Sequence, residues 1–419
     1  MNRTALLAPL AFALIAAAPP AHNAESVANA ALRAAPVFDG HNDVPEQLRE
    51  RRKNILEGFD FRDTRSTGDA AKGVPPMMTD IARMRTGKVG AQFWSVYVSA
   101  NLPEPQAVQA TLEQIDVMRR LIAQYPADLQ FCTNSKCVEA SRKAGRVASL
   151  LGMEGGHSIG GSLGVLRQMH ALGARYMTLT HFKNNAWADS GTDAPAHDGL
   201  APFGEKVVRE MHRLGMLVDL AHVSEATMRD VLALGGPPPI VSHSNARAVN
   251  GHARNISDAT LTLIGKAGGI VMVNFYPPYV VEGARQWTAA REAAVARFKA
   301  LHRGDPAAET AALAAWDNTN PMPRGSVNDV ADHIDHIAKL IGAGHVGLGG
   351  DLDGVDSTVA ELEDVAAYPA LFVELARRGW SQADLEKLAS RNMLRVMDAA
   401  ETYAVDHQTD APQESETTF

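Results

Sequence analysis

PVFDGHND, residues 36–43, is an apolar run that closes on a histidine and an aspartate two positions apart. Four later runs each close on one metal-competent side chain. VASLLGMEGG (147–156) reaches Glu154, LVDLAHVS (217–224) reaches His222, PIVSHSNAR (239–247) reaches His243, and HVGLGGDLDG (345–354) reaches Asp351. Short β-branched or apolar runs ending in Gly, Asn, Asp or His fit strands buried on both faces. The pattern predicts eight strands: Pro36–His41, Val89–Ser99, Val147–Met153, Ala174–Thr180, Met216–Leu220, Pro239–Ser242, Gly269–Asn274 and His345–Gly349. Amphipathic segments such as Glu104–Tyr125, Leu163–Leu172, Phe203–Leu214 and Ser224–Leu234 lie between them, the last with Ser224 placed to cap its helix. Strand and helix alternating eight times is the signature of an α/β (β/α)8 TIM barrel, which gathers the C-terminal ends of its strands on one face.

Two stretches break the rhythm. Asn54–Pro76 is charged and contains Gly and Pro, as a long loop after the first strand would. Gly283–Arg324 is Ala-rich and reads as a helical insertion between strands 7 and 8, on the rim where insertions shape a pocket. The expected organisation is a leader at 1–24, one barrel domain at 25–405, and a disordered polar tail at 406–419.

Composition is that of a soluble globular chain: 46% hydrophobic, 21% charged and a formal charge of −8. That charge argues against nucleic acid or an anionic membrane as partner. Arg3, the apolar Ala5–Ala18 and the small residues up to about Ala24 fit a secretory signal peptide, too short and too interrupted by Pro19 and Pro20 for a membrane anchor. Export to the periplasm is the expectation. The two cysteines, Cys132 and Cys137, fit neither a redox CxxC motif nor a thiolate zinc site. A structural disulfide and a pair of free thiols both remain open.

The chemistry lies in the strand ends. Side chains two apart on an extended strand share a face, so His41 and Asp43 can reach one metal together. Glu154 ends a buried strand, where an anionic carboxylate needs a cation or a hydrogen-bonding partner, and its two oxygens can bridge two ions. His157, three residues further on, is the weaker competitor. His222 and His243 end successive strands and so become neighbours on the rim. Three imidazoles and three carboxylates there make a nitrogen/oxygen site suited to zinc and a metal-dependent hydrolase.

VFDGHNDVP, LLGMEGGHSIG, LTHFKNNAWADS, VDLAHVS, PIVSHSNAR, GHARN, VNFY, DHIDHI and GLGGDLDG occur in that order. Over residues 36–400 the chain thereby resembles the renal (membrane) dipeptidase family, binuclear zinc peptidases of the amidohydrolase superfamily. The resemblance implies two Zn2+ ions, with His41 and Asp43 on one, His222 and His243 on the other, and Glu154 bridging. It implies that Asp351 handles the proton, that His181 contacts the substrate carbonyl, that Arg254 pairs with the substrate's C-terminal carboxylate, and that Tyr276 lines the pocket. It also implies dipeptide substrates, tolerance of a C-terminal D-residue, and a homodimer as an expected assembly. Phe182 and Lys183 stand where animal relatives have Ser-Cys, which removes a family disulfide. The same metal core would also serve N-acyl amino acids or β-lactams, and an exported binding protein with lost catalysis is the non-enzymatic alternative.

Overall fold

The structure, a computed structural model, describes residues 21–414. Among the described residues there are nine strands: β1 Val37–Asn42, β2 Val89–Ser95, β3 Leu129–Phe131, β4 Val147–Glu154, β5 Ala174–Thr178, β6 Leu217–Asp219, β7 Ile240–Val241, β8 Ile270–Val273 and β9 Val346–Leu348. Eight of them run parallel in the order β2-β1-β9-β8-β7-β6-β5-β4, and pairing of β2 with β4 closes the ring. This is a (β/α)8 barrel with helices around it. The extra strand, β3, was not expected; it pairs with Val147–Ser149, on the stretch of β4 that precedes the pairing with β5 at Leu151.

Two aromatic rings show which side chains fill the barrel. Phe93 on β2 and Tyr176 on β5 flank β4, yet their centroids are 4.8 Å apart, so both project inward across that strand. Gly152 on β4 makes the approach feasible, because a Cβ there would collide with the Tyr176 ring. Phe38, Leu150, Leu217, Ile240, Ile270 and Met272 belong to the same buried cluster. Met393, Val396, Met397 and Ala400 join it from the helix Asn392–Asp406, against the first residues of β6, β7 and β8. Each such buried apolar side chain stabilises the fold by about 1.5–3 kcal/mol relative to exposure. A larger second cluster lies between the strands and the outer helices.

Several boundaries differ from the sequence reading. β2 stops at Ser95 rather than Ser99, since the register with β4 ends at Ser95↔Gly152 and one last amide, from Val96, reaches the Gly152 carbonyl. β5 likewise ends at Thr178. Ser224 caps the helix Glu225–Leu234 by accepting from the Thr227 amide. Between β8 and the helix Val327–Ile341 lie the helices Glu282–Leu301 and Pro306–Thr319, joined by Trp287 against Trp316 and by the Arg291–Asp317 ion pair. Residues 1–20 of the expected leader lie outside the described residues, whereas Ala21–Ala34 forms a helix with Ala24, Ala28 and Ala31 buried. The last helix ends at Asp406, at the start of the stretch expected as a polar tail, and of that stretch residues 407–414 are described. The Gln413 amide donates to Glu210 and Arg167 donates to the Gln413 carbonyl. Cys132 and Cys137 form a disulfide. Among the described residues no helix is long and apolar enough to cross a membrane.

Candidate metal centre

β1 delivers His41 and then Asn42, and Asp43 begins the helix Val44–Arg52. The alternation works as the sequence requires: Asn42 turns away to donate to Thr79, while His41 Nε2 and Asp43 Oδ2 come within 3.3 Å of each other. Glu154, the last residue of β4, is only 4% exposed and divides its two oxygens. Oε2 lies 3.4 Å from His41 Nε2, and Oε1 lies 3.0 Å from His222 Nε2 and 3.4 Å from His243 Nε2. Two sets of donor atoms result, His41/Asp43/Glu154 and Glu154/His222/His243, each with its atoms mutually within 4.8 Å. His41, His243 and Asp351 form a third such grouping. His157 belongs to none of the three.

These residues fit a metal for reasons beyond proximity. His41 Nε2 and both carboxylate oxygens of Asp43 are buried without a hydrogen-bond partner. His222 Nε2 and His243 Nε2 face each other at 2.9 Å, where two lone pairs repel unless a proton or a cation lies between them. Imidazole and carboxylate donors in this number suit zinc.

The rings are aimed from behind. Nδ1 of His41 shares a hydrogen bond of 2.9 Å with Tyr176 OH, the phenol that Gly152 makes room for. Nδ1 of His243 meets Ser242 Oγ, which donates to Asp219 at 2.6 Å. Ser95 Oγ donates to Glu154 Oε2 at 3.1 Å, and Asn274 Nδ2 donates to Asp351 Oδ2 at 2.7 Å. Such outer contacts fix ring tautomer and orientation. Two of the side chains sit on left-handed backbone, His222 at φ 64° and Asp351 at φ 60°. Non-glycine residues rarely adopt that conformation, and it clusters at functional sites.

Electrostatics separates the carboxylates. Burial raises the pKa of Glu154, but His41, His181 and His222 outweigh it and hold the group ionised. Asp351 is pushed up to about 8, by burial first and by Asp43 and Glu154, against the opposing pull of His41. Burial drives His222 and His243 well below the ordinary histidine range, so both are neutral and free to donate electron pairs. His181, also lowered by burial, to about 4, stands 3.8 Å from Glu154 Oε1.

A cavity of about 350 Å³ opens over these groups. Arg254 lines it, 3% exposed, donating to Ser244 Oγ and the His243 carbonyl and standing over the Tyr279 ring. No carboxylate pairs with its guanidinium among the described residues, and its Nε has no partner. Tyr276 lines the cavity too, 5.0 Å from Tyr279. Phe182, 49% exposed, packs on both His181 and His222 at the mouth. Sequence reasoning missed Glu46, Tyr97, Tyr279 and Asp356 in the lining. Glu46 could have been found: it follows Asp43 by three residues at a helix start, hence on the same helix face. Burial, then Asp43 and Glu154, push its carboxyl up to about 8.

A parallel barrel with imidazole and carboxylate donors on the rim beside a substrate-sized cavity defines a metallohydrolase. Comparison with known proteins narrows the class. The profile of the family described as membrane dipeptidase (peptidase family M19) matches residues 25–411. Dipeptidase 3 of Macaca fascicularis is 38% identical over 396 residues, which are 93% of this chain and 70% of that protein. The probable dipeptidase PvdM from Pseudomonas aeruginosa has a similar fold, with a TM-score of 0.77 at 23% identity, over 91% of this chain and all of that one. A metallo peptidase from Rhodobacter sphaeroides, solved with a phosphinate mimic of the dipeptide L-Ala-D-Ala, gives a TM-score of 0.70 at 22% identity, over 87% and 99% of the two chains. The chain belongs to the membrane dipeptidase family, peptidase family M19, and is accordingly a metallo-dipeptidase, a hydrolase of peptide bonds.

Proposed function

We propose that this chain is a zinc dipeptidase that holds two ions per subunit and accepts a D-residue at the C-terminal position. The observation that carries the two-ion reading is the division of Glu154, whose Oε2 faces His41 and Asp43 and whose Oε1 faces His222 and His243. His41 and Asp43 would hold one ion, His222 and His243 the other, with Glu154 between. When bound, the pair would supply a water acidified toward a pKa of ~7 and would polarise the scissile carbonyl.

The remaining work falls to the chain itself. Asp351, braced by Asn274 and ionised once bound cations offset its burial and the neighbouring carboxylates, takes the proton of the attacking water on a carboxylate oxygen and returns it to the leaving amine. His181, neutral because it is buried, donates an N–H to the oxyanion as it develops. Arg254, a buried cation with no protein carboxylate, grips the substrate's C-terminal carboxylate with its planar fork. That anchor sets the cut one residue from a free C-terminus, and the Tyr276–Tyr279 wall lies beside it. Acceptance of a D-residue is supported by the L-Ala-D-Ala mimic held by the structural relative. The Cys132–Cys137 bridge supports work in an oxidising compartment, the periplasm on the reading of residues 1–24 as a leader.

The test is to assay the zinc-loaded and metal-stripped protein on L,L-, L,D- and D,D-dipeptides, with C-terminal amides as controls and metal analysis alongside. Cleavage of L,L- and L,D-dipeptides, lost on stripping, restored by zinc and absent on amides, is the expected result. Two bound ions without dipeptide turnover would redirect the assignment to acyl amino acids or lactams. A protein that binds no metal would end the proposal.

A further inference from the structure

Two opposite charges line the active-site cavity from widely separated strands. Arg254 follows β7, and Glu46 lies in the first turn of the helix that follows β1. In the ring order β1-β9-β8-β7 they are three strands apart out of eight, which sets them across the mouth from each other. Glu154 and Asp351 line the same cavity.

Glu46 takes no part in metal binding or proton transfer. It belongs to neither donor set of the metal centre. Its carboxylate is half-buried and enters no ion pair among the described residues. The groups that act on it are all carboxylates, Asp43, Glu154, Glu50 and Asp351, and burial adds to their effect. The basic residues on its own helix are occupied elsewhere: Arg49 pairs with Glu113 at 3.0 Å, Arg51 donates to the Pro75 carbonyl at 2.7 Å, and Arg52 donates to the carbonyls of Ile55 and Glu57. A carboxylate drawn out of water beside other anions is costly to keep charged unless a cation joins it. The cavity therefore presents an unpaired cation on one side and, on the other, an unpartnered carboxyl that an arriving cation would draw into its charged form.

We infer that Glu46 receives the α-ammonium of the substrate's N-terminal residue, so that the pocket reads a dipeptide at both of its charged ends. The assignment rests on the dipeptidase reading for the identity of the cation. Arg254 measures the distance from the cut to the C-terminus, and Glu46 measures it to the N-terminus. A longer peptide or an N-acyl amino acid presents a neutral amide where Glu46 expects a positive charge, and is disfavoured for that reason. Glu46 is thus a specificity-determining residue that contacts substrate without taking part in proton transfer.

The test measures binding as well as turnover. A non-hydrolysable phosphinate dipeptide mimic with a free amine, and its N-acetyl form, are titrated calorimetrically into the zinc-loaded wild type, Glu46→Gln and Glu46→Asp. Metal content and KM and kcat on a free dipeptide are measured in parallel. The wild type should prefer the free amine, and Glu46→Gln should lose about tenfold or more of that preference, the range of a charge-assisted hydrogen bond. KM should rise with kcat little changed, metal content should hold, and Glu46→Asp should keep most of the preference. An unchanged preference in Glu46→Gln, loss of metal from it, or equal loss in the charge-conserving variant would overturn the assignment. Turnover of dipeptides without any Glu46-dependent preference would fail the assignment alone. A Glu46-dependent preference in a protein that cleaves no dipeptide would leave Glu46 an ammonium site but overturn its assignment to a dipeptide's N-terminus, together with the dipeptidase reading.

Discussion

Nδ1 of His243 lies 2.8 Å from the hydroxyl of Ser242, the residue just before it in the chain. The hydroxyl is spent on Asp219, whose other oxygen takes the Ser242 and Ala221 amides. A buried carboxylate therefore orients the imidazole through a single serine, and Nε2 is left to face Glu154. Ser242→Ala should leave the fold intact and weaken metal affinity about 10–100-fold. Competition with a graded series of chelators measures it. Unaltered affinity would mean that packing alone orients the ring.

Glu154→Gln changes the carboxylate that faces both donor sets. An amide offers one oxygen, and its NH2 group would face one donor set with hydrogens instead of a lone pair. Metal analysis after dialysis should show loss from both positions together. Two ions retained as tightly as in the wild type would argue against a bridging carboxylate.

Asp351→Asn keeps the shape and the neighbour Asn274 but removes the proposed proton acceptor. Metal content should stay near the wild-type value, and kcat should fall by about 10²–10⁴, the usual worth of a positioned acid–base group. Turnover at the wild-type rate would strip Asp351 of its role.

Acid stability follows from a histidine outside the cavity lining. His333 is fully buried, accepts the Ala246 amide on Nδ1 and meets the Val280 carbonyl with Nε2, so it is held neutral. Burial pushes its pKa down from 6.5 to about 4, with the Val280 contact opposing. A depressed folded-state pKa contributes stability that is present above pH 6.5 and is lost as the pH falls toward 4. The loss is on the order of 3 kcal/mol. Melting temperatures of the wild type and His333→Gln between pH 7 and 4 test it. The wild type should show the steeper decline, and parallel curves would exclude His333 as a source of acid lability.

Much of this was legible in the sequence because strand ends carry both fold and chemistry. An apolar run closing on His or Glu marks a strand and, in a parallel barrel, also marks the rim. His41, Asp43, Glu154, His222, His243 and Asp351 all lie there, within reach of one another. What stayed hidden depends on contacts between strands. Tyr176 in ARYMT looks like any core aromatic until Gly152 on the neighbouring strand is seen to admit its ring. The Ser242–Asp219 contact depends on the register between β6 and the end of β7, which neither run shows by itself. β3 escaped because three residues are too few for a periodicity, and Tyr279 because the stretch before it, YPP, resembles a loop.

The chain supplies its functional groups in a definite order. The first donor set is complete once β4 has been made, and the second once β7 has followed. Asp351 arrives only with β9, the strand that seals the ring between β8 and β1. In chain order the residues of both donor sets thus precede the residue proposed to carry the proton. On the proposed roles, the geometry for cleavage is complete only when the last strand closes the ring, so the C-terminal third of the chain is as necessary to the reaction as the residues that face the metal.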